Sequence, residues 1–298
     1  MNSLTYAHLV APSGGPARPQ GTGTAYGTCG ELVQGVLDGR DFLITFPIDL
    51  RVRATASPSA LQGVAVWPPH KVKARRAAER LLRRLRYPSR LGVRVDIASP
   101  LPEGKGMASS SADIVATCRA LADLLGTGVS DTELGAIACA IEPSDAAMYE
   151  RPVVFDFMTG DLLHDPGRRF PVLAVTVDAG GAVETTTFRR LPYTAGERRI
   201  LRGAHDLAVQ GLETGDLQAV GTAATASARV NQRRHAKPHL DELLDICADH
   251  GGSGVAVAHS GTLATMLFDD RLIDQARNAA LDAAIRLPTA TVAILNGL

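Results

Sequence analysis

The chain has 298 residues, enough for one large α/β unit or two modest domains with cores of their own. Apolar residues make up 45% and charged residues 21%, ordinary globular values, and 31 basic residues balance 31 acidic ones. That neutrality argues against a nucleic-acid binder, which carries a basic excess, and no apolar run reaches membrane-spanning length.

Residues 1–20 are rich in Pro, Gly, Ser and Ala and lack the charged start and apolar run of a signal peptide, so they read as a loose tail. Ala25–Gly35, AYGTCGELVQG, is glycine-punctuated and holds one acid, Glu31. Asp41–Pro47 is an apolar run of strand length, and Arg51–Ala56 alternates as a half-buried strand does. His70–Arg86 is strongly basic and reads as a helix with a solvated face. Leu91–Ile97 is a period-2 strand.

A glycine segment follows, then a helix. Ser110 and Asp113 have capping-box-like spacing, Ile114, Cys118, Leu121 and Leu125 recur at helical spacing, and Gly126 stops the helix. A second helix opens at Ser130, with Glu133 three residues on, and ends before Pro143. Val153–Phe157 and Val172–Asp178 read as buried strands. Between them, Leu163–Arg169 breaks the pattern, which suggests residues 21–165 and 166–298 as two domains.

The second half opens with two strands around Gly180–Gly181. Helices are expected at Ala195–Glu213, Leu217–Ala228 and Leu240–His250, then strands at Gly254–Ala258 and Leu263–Phe268. A last helix and the strand Ala290–Leu295 close the chain. Helices and strands mix without regular alternation, which predicts an α+β fold.

The four cysteines, Cys29, Cys118, Cys139 and Cys247, form no C-x-x-C pair, which argues against a zinc site or a disulfide framework. Scattered among apolar neighbours, they suit a reduced, cytoplasmic protein.

The segment that carries chemistry is Pro102–Ala112, PEGKGMASSSA, between a strand and a helix N-terminus. Free backbone N–H groups and the positive end of the helix dipole suit an anion there. Gly104 and Gly106 admit close approach of a ligand to the backbone. The hydroxyls of Ser109, Ser110 and Ser111 suit phosphate oxygens or a magnesium ion. The Walker spacing fails, because Lys105 is followed by Gly106 and position 99 is Ser. The dinucleotide spacing fails at Ser109, and G-x-S-x-G is absent. Composition alone leaves a serine-capped glycine turn equally open.

The segment resembles the central motif of the GHMP kinases, P-x-x-x-G-L-G-S-S-A-A, with Met107 in place of Leu and Ala108 in place of Gly or Ser. Within that superfamily the chain looks most like the L-threonine kinases of cobalamin biosynthesis. The carrying segments, in order, are Gly27–Gly35, Gly104–Asp113, Ile141–Asp145 (IEPSD) and Ala256–Thr262 (AVAHSGT), and the likeness spans about residues 25–270.

The resemblance implies an N-terminal ribosomal-S5-like domain and a C-terminal ferredoxin-like domain. It also implies ATP and Mg²⁺, a small amino-acid substrate, no nucleic acid or membrane partner, and a homodimer as the candidate assembly. Pro102, Gly104, Lys105, Gly106, Met107, Ala108, Ser109, Ser110, Ser111 and Ala112 would hold ATP, with Ser110 and Glu142 on the metal. Asp145 would serve as base or merely form a turn, and Gly30, Glu31, Asp145 and Ser260 would meet the acceptor. Lys105 is either a phosphate contact or solvated, and His259 either functional or structural. The leading activity is ATP-dependent phosphorylation of L-threonine. Alternatives are another amino acid or amino alcohol, such as homoserine or serine, and an inactive nucleotide-binding scaffold.

Overall fold

The computed structural model describes residues 19–88, 90–181, 191–258 and 260–298. Most of the expected tail, the strand after Gly181 and His259 lie outside them.

Strands β1 (Gly21–Leu37) and β2 (Arg40–Ser59) form a long antiparallel hairpin. Asp38 and Gly39 both take positive φ, 50° and 84°, the turn whose twist matches paired strands. The glycine-punctuated segment around Glu31 is therefore a strand. Its interior is buried on both faces, so it shows no alternation. Its register slips between Tyr26 and Gly27, between Thr28 and Glu31, and again before Val33. Such bulges re-aim side chains, and here they surround Glu31.

Strand β3 (Gly63–Trp67) pairs in parallel with β4 (Gly92–Ala98) across helix α1 (Val72–Arg84). Helix α1 is amphipathic, with Ala74, Ala77, Ala78, Leu81 and Leu82 buried. Helix α2 (Ser109–Leu124) is buried nearly all round and packs on β1 and β2. Helix α3 (Asp131–Cys139) starts with the expected capping box of Ser130 and Glu133. It stops at Cys139, so Glu142 lies beyond the helix rather than in its last turn. Strands β5 (Val153–Phe155) and β6 (Leu162–His164) extend from β2.

Next come β7 (Val172–Asp178), α4 (Ala195–Thr214), α5 (Leu217–Asn231), α6 (Leu240–Asp249), β8 (Gly254–Val257), β9 (Leu263–Asp269), α7 (Ile273–Arg286) and β10 (Thr291–Asn296). Helix α4 opens on a capping box of Thr194 and Glu197 and ends at Gly215 in the left-handed region, so both termini are satisfied.

Among the described residues one ten-stranded sheet runs β10-β7-β9-β8-β1-β2-β4-β3, with β5 and β6 off that path. The join between β8 and β1 rests on Glu31 opposite Val257. One apolar core lies under α2, α4 and α5, and a second lies between α6, α7 and strands β7–β9. Among the described residues no helix is long and apolar enough to cross a membrane.

Candidate active site

The loop from Ser99 to Ala108 joins β4 to α2. Gly104 and Gly106 take φ of 73° and 88°, and Ala108 takes 55°. A left-handed Ala costs about 1 kcal/mol, at the position where the family motif has Gly or Ser. Ala108 is the N-cap of α2, and no side chain caps the helix's first turn. The expected capping box of Ser110 and Asp113 is therefore not formed. Ser110 Oγ donates to Glu142 Oε1, and Asp113 accepts from Lys71 Nζ at 2.6 Å. Those hydroxyl and carboxylate groups serve the cavity instead of the helix end, and the first-turn N–H groups stay available to an anion.

The loop's own carbonyls are engaged elsewhere. Gly106 O accepts from Gly30 N and Met107 O from Thr28 N, both at 3.2 Å, and Lys105 O accepts from Thr262 N and Leu263 N, both at 3.1 Å. Glycine is required for this approach: a Cβ on Gly106 would lie 2.1 Å from the Ala258 Cβ, and one on Gly261 2.3 Å from the Lys105 and Gly106 backbone. The segment Ala256–Thr262 thus packs directly on the glycine loop.

A cavity of about 500 Å³ opens over the loop. It is lined by Gly104, Gly106, Met107, Ala108, Ser109, Ser110, Ser111, Glu142, Asp145, Glu31 and Ser260, residues drawn from all four sequence segments. Ser111 Oγ accepts from Asp145 N at 3.1 Å, which fixes the IEPSD segment against α2. Four expected residues do not line the cavity. Pro102 is exposed and Ala112 is fully buried in α2. Gly30 contributes its N–H to the loop. Lys105 Nζ pairs with Asp178 Oδ2 at 2.7 Å and donates to Gly181 O. Burial would raise the Asp178 carboxyl, but hydrogen bonds from Lys105, Thr262 and Gly180 hold it below the usual range.

The basic run before and within α1, read as solvated, brings two lysines to this cavity. Lys71, with its side chain 10% exposed, bridges Asp113 and Glu103 at 2.6 and 2.7 Å. Burial pushes the Asp113 carboxyl up against Lys71's opposing pull. Burial alone would lower Lys71, yet its bonds to the two acids raise it, so the ammonium stays charged. Lys73 donates to Glu142 Oε2. Nothing local in the sequence marks these contacts, which span 42 and 69 positions. Lys237, 4% exposed, donates to Gly261 O, and His235 Nε2 meets the same carbonyl at 2.8 Å. Burial lowers the Lys237 ammonium to about 8, and attraction to Glu31 opposes that shift.

Cys29, Cys118 and Cys247 are buried and Cys139 is half-buried, all as free thiols. Burial raises each thiol, which makes them poor nucleophiles.

Comparison with known proteins places these features. The family profile "GHMP kinases N terminal domain" matches residues 72–150, and "GHMP kinases C terminal" matches residues 208–285. An L-threonine kinase of Salmonella typhimurium is 30% identical over 259 residues, 84% of this chain and 83% of that protein. An L-threonine kinase of Citrobacter freundii is 28% identical, covering 81% and 84%. Among solved structures, homoserine kinase from Cytophaga hutchinsonii superposes with a TM-score of 0.74 over 97% of both chains at 16% identity. L. major mevalonate kinase superposes with a TM-score of 0.64 over 95% of this chain and 98% of that one, at 17% identity. The uncapped helix behind a glycine loop, the acids gathered over it and both halves of the family profile lead to one conclusion: the chain belongs to the GHMP kinases and is an ATP-dependent small-molecule kinase.

Proposed function

We propose that the protein transfers the terminal phosphoryl group of ATP to the side-chain hydroxyl of L-threonine, giving O-phospho-L-threonine and ADP. The observation that carries this reading is the meeting of Ser110 and Glu142 at the uncapped N-terminus of α2, in the cavity that Asp145 and Glu31 also line. The similarity to L-threonine kinases over more than four-fifths of the chain supports threonine as the acceptor.

A divalent cation fits this donor set. Among the described residues no cluster of three or more His, Cys, Asp or Glu is arranged for a metal. Mg²⁺ in a kinase needs no such cage, since one carboxylate and a hydroxyl complement phosphate oxygens and water. Ser110 and Glu142 would hold it, and its charge would neutralise the phosphate oxygens.

The protein's share of the reaction is chiefly positioning. The Gly104–Gly106 backbone and the first turn of α2 cradle the phosphates. Asp145 takes the hydroxyl proton as the threonine oxygen bonds to phosphorus and the bond from phosphorus to ADP breaks. Glu31, at the bulged junction of β1 with β8, receives the substrate ammonium. The two halves of the chain, 21–165 and 166–298, would then bind the nucleotide and close the acceptor pocket respectively.

The test is a phosphorylation assay over threonine, serine, homoserine and amino alcohols, read by product mass and ADP release. Threonine should show the highest kcat/KM. Turnover of another alcohol with threonine inert would overturn the acceptor. No turnover of any alcohol would favour the scaffold reading.

A further inference from the structure

Glu142 has two carboxylate oxygens, and both are engaged. Oε1 accepts from Ser110 Oγ and Oε2 accepts from Lys73 Nζ. The Glu142 side chain is 10% exposed, whereas that of Lys73 is 35% exposed on the first turn of α1. A largely covered carboxylate therefore carries its own counter-cation on a more exposed stem. Lysine is suited to this, because its ammonium is a compact point charge on a flexible four-carbon stem.

We propose that Lys73 is an exchangeable counter-ion. It neutralises Glu142 until a divalent cation takes the carboxylate, and its ammonium then turns to the nucleotide's phosphate oxygens. The inference rests on the assignment of Ser110 and Glu142 as the metal-holding pair. Three observations carry it further. A divalent cation on Glu142 must displace an ammonium already bonded there, or sit beside it against like-charge repulsion. Lys73 lines the same cavity as Gly104 and Gly106, so a short swing of the stem keeps it within that space. Lys71, its neighbour, is already held by Asp113 and Glu103, which leaves Lys73 as the cation of this turn with a single, more exposed bond to give up.

The consequence is coupling between metal and nucleotide. Metal alone meets a competitor, whereas metal with nucleotide does not, because the displaced ammonium finds a new anionic partner. By reciprocity the nucleotide tightens metal binding as much as the metal tightens nucleotide binding.

The test uses the full chain and readouts that need no turnover. Mn²⁺ binding is followed by electron paramagnetic resonance without nucleotide. Binding of a non-hydrolysable ATP analogue is followed by equilibrium dialysis in EDTA. In Lys73→Met, Mn²⁺ alone should bind about tenfold tighter and metal-free nucleotide about tenfold weaker, with Lys73→Arg close to wild type. Thermal melts of each variant establish that it is folded. If Lys73→Met leaves both affinities within about twofold of wild type while Glu142→Gln abolishes Mn²⁺ binding, the counter-ion is wrong and the metal pair stands. If Glu142→Gln leaves Mn²⁺ binding intact, both fall.

Discussion

The glycine loop between β4 and α2 is held differently on its two sides. Towards α1 it meets side chains: Lys71 between Asp113 and Glu103, and Lys73 on Glu142. Towards β1 and the turn after β8 it meets backbone, with Gly106 and Gly261 pressed together and the Lys105 carbonyl shared by Thr262 and Leu263. Charges on stems can trade partners when an anion or a cation arrives. Packed glycines cannot. The loop thus has one side held by exchangeable ion pairs and one whose packed backbone fixes its shape.

Substitutions on each side should separate these roles. The largest effect is expected at Glu142, in the pair with Ser110 proposed to hold the metal. Glu142→Ala should lower kcat/KM about a thousandfold, since a cation's charge stabilisation is worth several kcal/mol, with little change in melting temperature. A fall in stability instead would make Glu142 a structural acid.

Asp113→Ala should cost about 3 kcal/mol of stability in urea titrations, the lower end for a broken buried pair because Glu103 still reaches Lys71. A loss below about 1 kcal/mol would mean the pair behaves as a surface one.

On the other side, Gly261→Ala should cost about 1–3 kcal/mol through overpacking against Lys105 and Gly106. It should also weaken nucleotide binding without altering the acceptor preference. Unchanged stability would show that the turn yields, and the contrast between the two sides would disappear.

The last effect concerns pH. Burial lowers Lys237 to about 8 from the usual 10.5. Between those values the unfolded chain holds a proton that the folded chain lacks, so stability rises with pH there and the penalty of the buried charge is greatest below pH 8. The slope contributed is at most about 1.4 kcal/mol per pH unit. Urea titrations of wild type and Lys237→Met from pH 7 to 10.5 should differ by that rising component, and parallel curves would refute it.

Much of this was legible in the sequence wherever the cause is local. The capping box at Ser130 and Glu133, the strand Val172–Asp178 and the helix opening at Ala195 follow from spacing alone. So did the strand–glycine–helix order around Gly104 and Gly106. Strand β1 was not legible, because burial on both faces erases alternation, although Asp38-Gly39 was a hairpin signal that went unread. Ser110 and Asp113 fit a cap by spacing, yet each found a stronger partner far along the chain. Lys71 and Lys73 read as solvated, and Lys237 carried no signal at all, because a lysine's neighbours in sequence do not reveal which carboxylate or carbonyl it will meet.

The order of synthesis acquires a meaning from the bonds of Thr262 and Leu263 to the Lys105 carbonyl. The loop motif leaves the ribosome in the first half of the chain, but its outer wall is not made until residue 263. Strand β8, which joins the two parts of the sheet through Glu31, is equally late. A nascent chain halted before that point carries every residue of the glycine–serine motif and still lacks the fixed loop, which takes its shape only once the early and late parts of the chain have met.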